Sequence, residues 1–473
     1  MKADTPPLIF SDDFVERANI AWRIEPAQPD PANPLIEPKY PWDSAAAFVS
    51  GTVLFDSLDG LWKAWAPSWP HDPAAGLRAP AKCRLTYAFS EDGVRWIRPA
   101  LPGRPCMGVP ETNVLFDLAP DGGSHYPSVF IRPDAPPESR YEMFLMRARG
   151  ALPHGMYRCH SSDGIDWRRS SDRLPLDTSD SIFIFTGLGP PYAAYHKTSL
   201  PAPPGAHVPY DIGSGEIRIL VRRTSDDGIH WSDPPETLLT PDWRDAHDTQ
   251  FMDIGPLPYG RGFIATVTVY HALAGTIDLQ FASSPDPPTA GRWWRPARRP
   301  CLPNAPLGDW GGGMFWPMRQ IIERDDRLYL YYCAMQGIHG DLYETRQNAY
   351  LDYGALCRAS WQTGRLWAAV PAAGGPTDAS LTTTPIPDSG GKRLIVNAVT
   401  LADGELAAEL CSPAEDGSPG PVLPGFSRND ARPFQGDDRF HTFRWTAADR
   451  APRDGLMIRF HLRRARLYGF EFR

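Results

Sequence analysis

Short apolar runs of strand length recur along this chain, and polar turns separate them. Gly51–Phe55, Leu61–Trp65 and Arg84–Phe89 form one such group. Tyr126–Ile131, Arg140–Met146 and Met156–His160 form a second, and Ser181–Phe185, Tyr192–His196 and Ile217–Val221 a third. Thr249–Gly255, Gly262–Tyr270 and Ile277–Phe281 follow, then Gly313–Ile322, Arg327–Cys333 and Asn348–Arg358. Runs of this length, rich in β-branched and aromatic residues and bounded by turn residues, predict strands and no long helix. The groups also share a closing phrase, Ser-x-Asp-Gly-hydrophobic-x-Trp. It reads Ser90 to Trp96, Ser161 to Trp167 and Ser225 to Trp231, with a degraded copy from Ser283 to Trp293 and Trp294.

The Asp-Gly pair marks a tight turn, because glycine takes the positive φ that such turns require. The tryptophan gives each turn an apolar anchor over the sheet. A repeat every 60 to 70 residues, roughly, signals a repeated supersecondary unit. Four-stranded units repeated radially make a β-propeller, and five groups predict five blades. After residue 370 the phrase disappears. Arg393–Asn397, Phe440–Trp445, Leu456–Leu462 and Leu467–Phe472 alternate apolar and polar positions instead, which predicts an antiparallel β-sandwich. The expected organisation is all-β: an extended N-terminal segment over 1–44 packing on the propeller, a five-bladed propeller over 45–370, and a C-terminal sandwich over 371–473.

Composition narrows the function. Proline is 52 of 473 residues, about twice the usual share, which suits turns and not helix interiors. A formal charge of −8 without a basic stripe argues against a nucleic-acid partner. No apolar run approaches membrane-spanning length, and Met1 to Pro7 lacks a signal-peptide core, so a cytoplasmic protein is expected. The seven cysteines lack metal-site or disulfide spacing and are expected to be reduced. The sequence does not set the oligomeric state.

In a propeller, the starts of the innermost strands line one mouth of the central channel. Polar residues cluster at those positions. They include Asp43 beside Trp42, Glu111 and His125, Asp177 and Asp180, Asp245, Asp248 and Gln250, and Asp309 with Trp310 before three glycines. Each aspartate also has a purely structural reading, as the cap of its own turn. Tyr and Trp faces near carboxylates suit sugars, whose rings present apolar C–H faces and hydroxyls.

The phrase, the five groups, the C-terminal alternation and Asn33-Pro34-Leu35 ahead of the first group together resemble the five-bladed β-propeller glycoside hydrolases and phosphorylases. That group includes invertase, arabinanase, xylosidase and mannoside phosphorylase types. The resemblance implies cleavage of a terminal sugar, furanosides included, by paired carboxylates. Asp180 and Asp248 are the expected catalytic pair, with Asp43 or Glu111 as a third carboxylate. His125, Gln250, Asp309, Trp310, Trp316, Arg147 and His339 would hold the small carbohydrate substrate. No cofactor or catalytic metal is expected, although the channel leaves room for a structural calcium. Two other readings stay open: a carbohydrate-binding propeller without catalysis, and a phosphorylase. The latter would hold inorganic phosphate with cations such as Arg147, Arg149, His196 and Lys197.

Overall fold

The computed structural model describes residues 5–10, 13–70, 83–116, 124–147, 153–176, 181–202, 204–205, 215–285, 293–339, 353–373, 378–446, 448–453 and 455–473. Among these the regular structure is β apart from short 3-10 turns, and no helix is long and apolar enough to cross a membrane.

Three antiparallel sheets have four strands each. The first holds Thr52–Asp56, Leu61–Ser68, Arg84–Ser90 and Val114–Phe116. The second holds Ser124–Ile131, Tyr141–Arg147, Gly155–Ser161 and Arg168–Arg169, and the third Ile182–Phe185, Tyr192–Pro201, Glu216–Ser225 and Glu236–Leu239. A nine-stranded sheet follows, made of two antiparallel groups joined by one parallel bridge between Ile277 and Met314. Its fourth-unit strands are Thr249–Tyr259, Gly262–His271, Thr276–Pro285 and Pro300–Leu302. Its fifth-unit strands are Met314–Pro317, Arg327–Met335 and Gly354–Gln362, with Ile322–Arg324 beside the second of them. The outermost strand of the fifth unit, Gln28–Pro29, comes from the other end of the chain.

The first strands of the units contact one another in a closed order. Thr52 Oγ1 donates to Pro127 O (2.7 Å) and accepts from Val129 N (3.1 Å). Ser128 Oγ accepts from Ile184 N (3.0 Å), and Ser181 Oγ donates to Met252 O (2.8 Å). Gly255 lies against the backbone of Arg319, whose own N donates to Gly51 O (2.7 Å). Hydroxyls set at the start or within the inner strands therefore satisfy backbone groups of the neighbouring unit that no ladder reaches. The Arg319 guanidinium fills the middle of this ring. It sits over the rings of Phe130 and Phe185 (4.5 and 5.5 Å) and donates to Ile184 O (3.3 Å).

The repeated phrase is a second set of links. In every copy the serine Oγ accepts from the glycine N at 2.9 Å, while the aspartate Oδ1 accepts two further backbone N–H groups. Gly93, Gly164 and Gly228 have φ of 72, 80 and 74°. Each turn packs on the unit before its own. Trp65 of the first unit donates to Gly164 O (2.6 Å), Phe144 of the second lies against Gly228, and Tyr331 of the fifth donates to Gly93 O (2.8 Å). The last of these closes the ring again.

Within the N-terminal segment, Gln28–Pro29 and Leu35 lie along the fifth unit, whereas two earlier strands pair elsewhere. Phe14–Ala18 pairs with Ala379–Thr383, and Ile20–Ile24 with Trp367–Pro371, so both strands belong to the C-terminal sheet. The boundary expected at 371 falls earlier as well, because Trp367–Pro371 lies in that sheet. The physical reason is edge pairing: strands left open by the C-terminal sheet find their partners hundreds of residues upstream. This eight-stranded sheet is built on two long strands, Leu394–Pro413 and Met457–Phe472, whose register shifts near Thr400 and Glu405. One core fills it, including Phe14, Leu381, Leu406, Trp445, Phe460 and Leu467. Trp22, Trp294 and Trp367 join this sheet to the fourth and fifth units. All seven cysteines are buried, and none is in a disulfide.

Gly164→Ala tests the inter-unit packing against Gly103→Ala. Both glycines have positive φ, but a Cβ at Gly103 meets open space while one at Gly164 meets the Trp65 ring. Each change costs about 1 kcal/mol for the left-handed backbone. Denaturant melts should show Gly164→Ala losing clearly more than Gly103→Ala; equal losses would mean the turn does not bear on its neighbour.

Candidate active site at the strand starts

The starts of the inner strands gather one polar and aromatic cluster. Met252, Tyr270 and Ile277 from the fourth unit, Met314, Trp316 and Met335 from the fifth, and Trp69 and Cys83 from the first share an apolar floor. The His339 ring lies 4.9 Å from that of Tyr270 and 6.1 Å from that of Trp316. The Arg218 guanidinium sits 5.6 Å from the Tyr270 ring, and its backbone N donates to Gln250 Oε1 (3.0 Å). His125 Nε2 approaches Cys83 Sγ at 3.8 Å. Of the sequence-derived candidates, His125, Gln250, Trp316 and His339 are thus brought together. Arg147 ends the second strand of the second unit, opposite Ser124 and next to the His125–Met146 pair.

One buried carboxyl was not anticipated from the sequence. Asp253 is fully buried, and its strand bulges between Phe251 and Ile254, which displaces Asp253 from the ladder. Thr268 Oγ1 donates to its Oδ1, and among the described residues Oδ2 has no hydrogen-bond partner. Burial raises its pKa to about 7, against weaker lowering by the Thr268 hydrogen bond and the Lys197 charge. Burial also raises the pKa of Asp43, against the Lys39 and Tyr40 N–H groups and Arg98, whereas Asp56 and Glu142 behave differently. For Asp56, burial opposes ionisation, but Tyr141, the Leu58 N–H, Lys63 and Arg140 hold it at about 2. For Glu142, burial is likewise outweighed by His160, Arg158 and Arg132, again giving about 2. A buried carboxyl is pushed toward neutrality where burial outweighs its donors. The signal was present in the sequence: a lone acid inside the apolar run Phe251-Met252-Asp253-Ile254.

Lys197 acts on Asp253 through its charge, and His196, Lys197 and Arg218 are all buried. At the rim, His271 Nε2 lies 2.7 Å from Asp278 Oδ2. That hydrogen bond raises the His271 pKa against burial, with help from the charges of Asp278, Asp248 and Asp245.

The remaining candidates sit elsewhere or carry other contacts. Asp180 and Asp177 lie outside the described residues, as does Arg149. Asp248 is buried, and its Oδ2 accepts from Leu273 N (3.1 Å), a turn-capping bond. Asp43 Oδ1 accepts from Lys39 N and Tyr40 N (2.8 and 2.6 Å), and its Oδ2 pairs with Arg98 at 2.6 Å. Glu111 and Asp309 are exposed, and Trp310 packs against the core formed by the fourth and fifth units. Among the described residues no group of three His, Cys, Asp or Glu side chains could hold a metal ion.

No family model matches the chain, and no curated protein matches it. Solved structures do. One is described by the words "the GH130 family of mannoside phosphorylases contains glycoside hydrolases that target beta-1,2 mannosidic linkages in Candida mannan"; identity is 15%, TM-score 0.46, with 78% of this chain and 99% of that chain covered. A glycosyl hydrolase from Bacteroides ovatus is 16% identical, TM-score 0.44, covering 76% and 98%. An alpha-L-arabinofuranosidase from Lactobacillus brevis is 13% identical, TM-score 0.38, covering 68% and 91%.

Proposed function

We propose that this protein is a carbohydrate-active enzyme that breaks a glycosidic bond at the mouth of a five-bladed propeller, with Asp253 as proton donor. The cyclic order of inner-strand contacts and the turn of the first unit resting on the fifth support the propeller reading. The bent eight-stranded sheet around one core supports reading the C-terminal part as a sandwich. One observation carries the chemistry: a buried carboxyl with a pKa of about 7, bonded to Thr268 on the strand that also carries Tyr270, whose ring meets that of His339.

A protonated Asp253 would give its proton to the departing glycosidic oxygen as the C–O bond breaks, with the bonding electrons passing to that oxygen. Tyr270 and Trp316 would offer apolar faces to the sugar, and Gln250 and His125 would hold hydroxyls. For hydrolysis a second carboxylate is required as base or nucleophile, the role read from the sequence for Asp180 and Asp248. A second reading is phosphorolysis. It is favoured by the charge of Lys197 acting on the buried carboxyl, because phosphate is itself the nucleophile and cations orient it.

The first test is Asp253→Asn, assayed on aryl glycosides, furanosides included, with and without inorganic phosphate. Turnover should fall by about two to four orders of magnitude. Equal turnover by the two proteins, or none by the native chain on any sugar, would overturn the assignment. Release of a sugar phosphate only when phosphate is present would decide for phosphorolysis, and release of free sugar for hydrolysis.

The pH profile is the second. The acid form is the active one, so the rate should decline as pH rises through about 7, the Asp253 pKa. Stability should move with it. The folded pKa is raised above the usual 3.8, so between those values the folded chain holds a proton that the unfolded chain has released. Stability therefore falls as pH rises across that window and levels off above it. Melting curves of Asp253→Asn should lack this component and lie at or above the native curve at pH 8. A mutant clearly less stable than the native chain would make Asp253 structural.

A further inference from the structure

The guanidinium of Arg319 crosses the axis of the ring. Arg319 belongs to the fifth unit, whose neighbours in the closed order are the fourth and the first. Its side chain nonetheless meets the second and third units. Cζ stands 4.5 Å from the Phe130 ring and 5.5 Å from the Phe185 ring, and Nη1 donates to Ile184 O (3.3 Å). A side chain that touches units not adjacent to its own spans the middle. The backbone behind it is fixed, since Arg319 N donates to Gly51 O (2.7 Å) and Met318 N to Tyr331 O (2.8 Å). Phe130 and Phe185 stand near or at the ends of strands Ser124–Ile131 and Ile182–Phe185. The guanidinium therefore lies toward the opposite mouth from the polar cluster at the strand starts.

This charge has no counterion. Arg319 is only 8% exposed, and burial alone, with no neighbouring charge, lowers its pKa to about 9. Other buried arginines have acids to answer them: Arg295 pairs with Asp245, Arg358 with Asp30 and Arg365 with Asp437. Ring faces return part of the hydration that a guanidinium loses on burial, but they carry no net charge. Its donors are also underused. With Nη1 engaged at Ile184, neither Nε nor Nη2 has a hydrogen-bond partner among the described residues. Nε–H and Nη2–H form the side edge of a guanidinium, where two parallel N–H bonds aim at one acceptor.

We infer that this edge of Arg319 binds one small monovalent anion, chloride or a similar halide, inside the ring. One guanidinium supplies one positive charge. A divalent oxyanion would therefore leave net negative charge among Phe130 and Phe185, where the dielectric is low. Space is short as well: a Cβ at Gly255 would come within 2.5 Å of the Arg319 carbonyl oxygen. A bulky organic anion does not suit so tight a lumen. The anion would be a structural ligand that balances charge where the five units meet. It takes no part in the carbohydrate reading of the strand starts, so either can fail without the other.

Chloride itself is the probe. The full chain is exchanged into sodium gluconate and melted in rising sodium chloride at fixed ionic strength. Once chloride exceeds its Kd, each tenfold rise should lift the midpoint by about 1 °C, from mass action and the unfolding entropy of a chain this long. Bromide should act alike. Arg319→Met keeps an apolar stem between the rings, and its midpoint should not depend on chloride. Sulfate should lift both proteins equally, as a general salt effect. Should the variant fail to fold, native crystals soaked in bromide decide, with anomalous density expected within hydrogen-bonding distance of Nε and Nη2. A chloride response as large in Arg319→Met as in the native chain would overturn the site. So would a difference between the two proteins as large in sulfate as in chloride, or no bromide at the fork. Bromide density there without a halide-dependent midpoint would mean an adventitious ion only, and would overturn it too.

Discussion

The structure depends on closing a stack of sheets that are apolar on both faces. Each four-stranded unit buries one face on the unit before it and the other on the unit after it, so an open stack would leave two apolar faces in water. Closure cannot come from ladder hydrogen bonds, because the inner strands of neighbouring units are not paired along their length. Thr52, Ser128 and Ser181 replace the ladder with side-chain oxygens. The Arg319 guanidinium, stripped of water, occupies the middle with ring faces around it.

Burial and chemistry separate cleanly within this frame. Asp56, Glu142 and Asp253 are all buried, yet two titrate near 2 and one near 7. The difference lies in donor supply, not in depth. Asp56 and Glu142 sit at seams between units, where Arg140, Lys63, Arg132 and Arg158 can reach them. Asp253 sits on a bulge with one hydroxyl for company. The same low dielectric that strengthens the seams therefore keeps this carboxyl neutral.

What was legible in the sequence follows from range. The Ser-x-Asp-Gly turns are made by atoms within a few residues of one another, so their chemistry could be read directly from Ser90 to Trp96 and its copies. The strand groups were legible for the same reason. The N-terminal strands were not, because nothing local marks Phe14–Ala18 as the partner of Ala379–Thr383. Among the candidate acids, the capping alternative describes the contacts of Asp43 and Asp248. Asp253 escaped because an acid within a strand reads as a surface position until the bulge turns it inward. The aromatic and imidazole members of the cluster, His125, Trp316 and His339, were easier, since few core roles call for that combination at strand starts.

The strand Gln28–Pro29 has a consequence for how the chain is made. It leaves the ribosome early, but Gly354–Gln362, the strand it must flank, is synthesised more than three hundred residues later. Phe14–Ala18 waits longer still. During that interval the early segment is an unpaired β edge, the kind of surface that recruits the wrong neighbour. Its prolines, among them Pro26, Pro29, Pro31 and Pro34, cannot donate to a foreign strand. Those prolines limit such pairing by Gln28–Pro29 until the fifth unit is made.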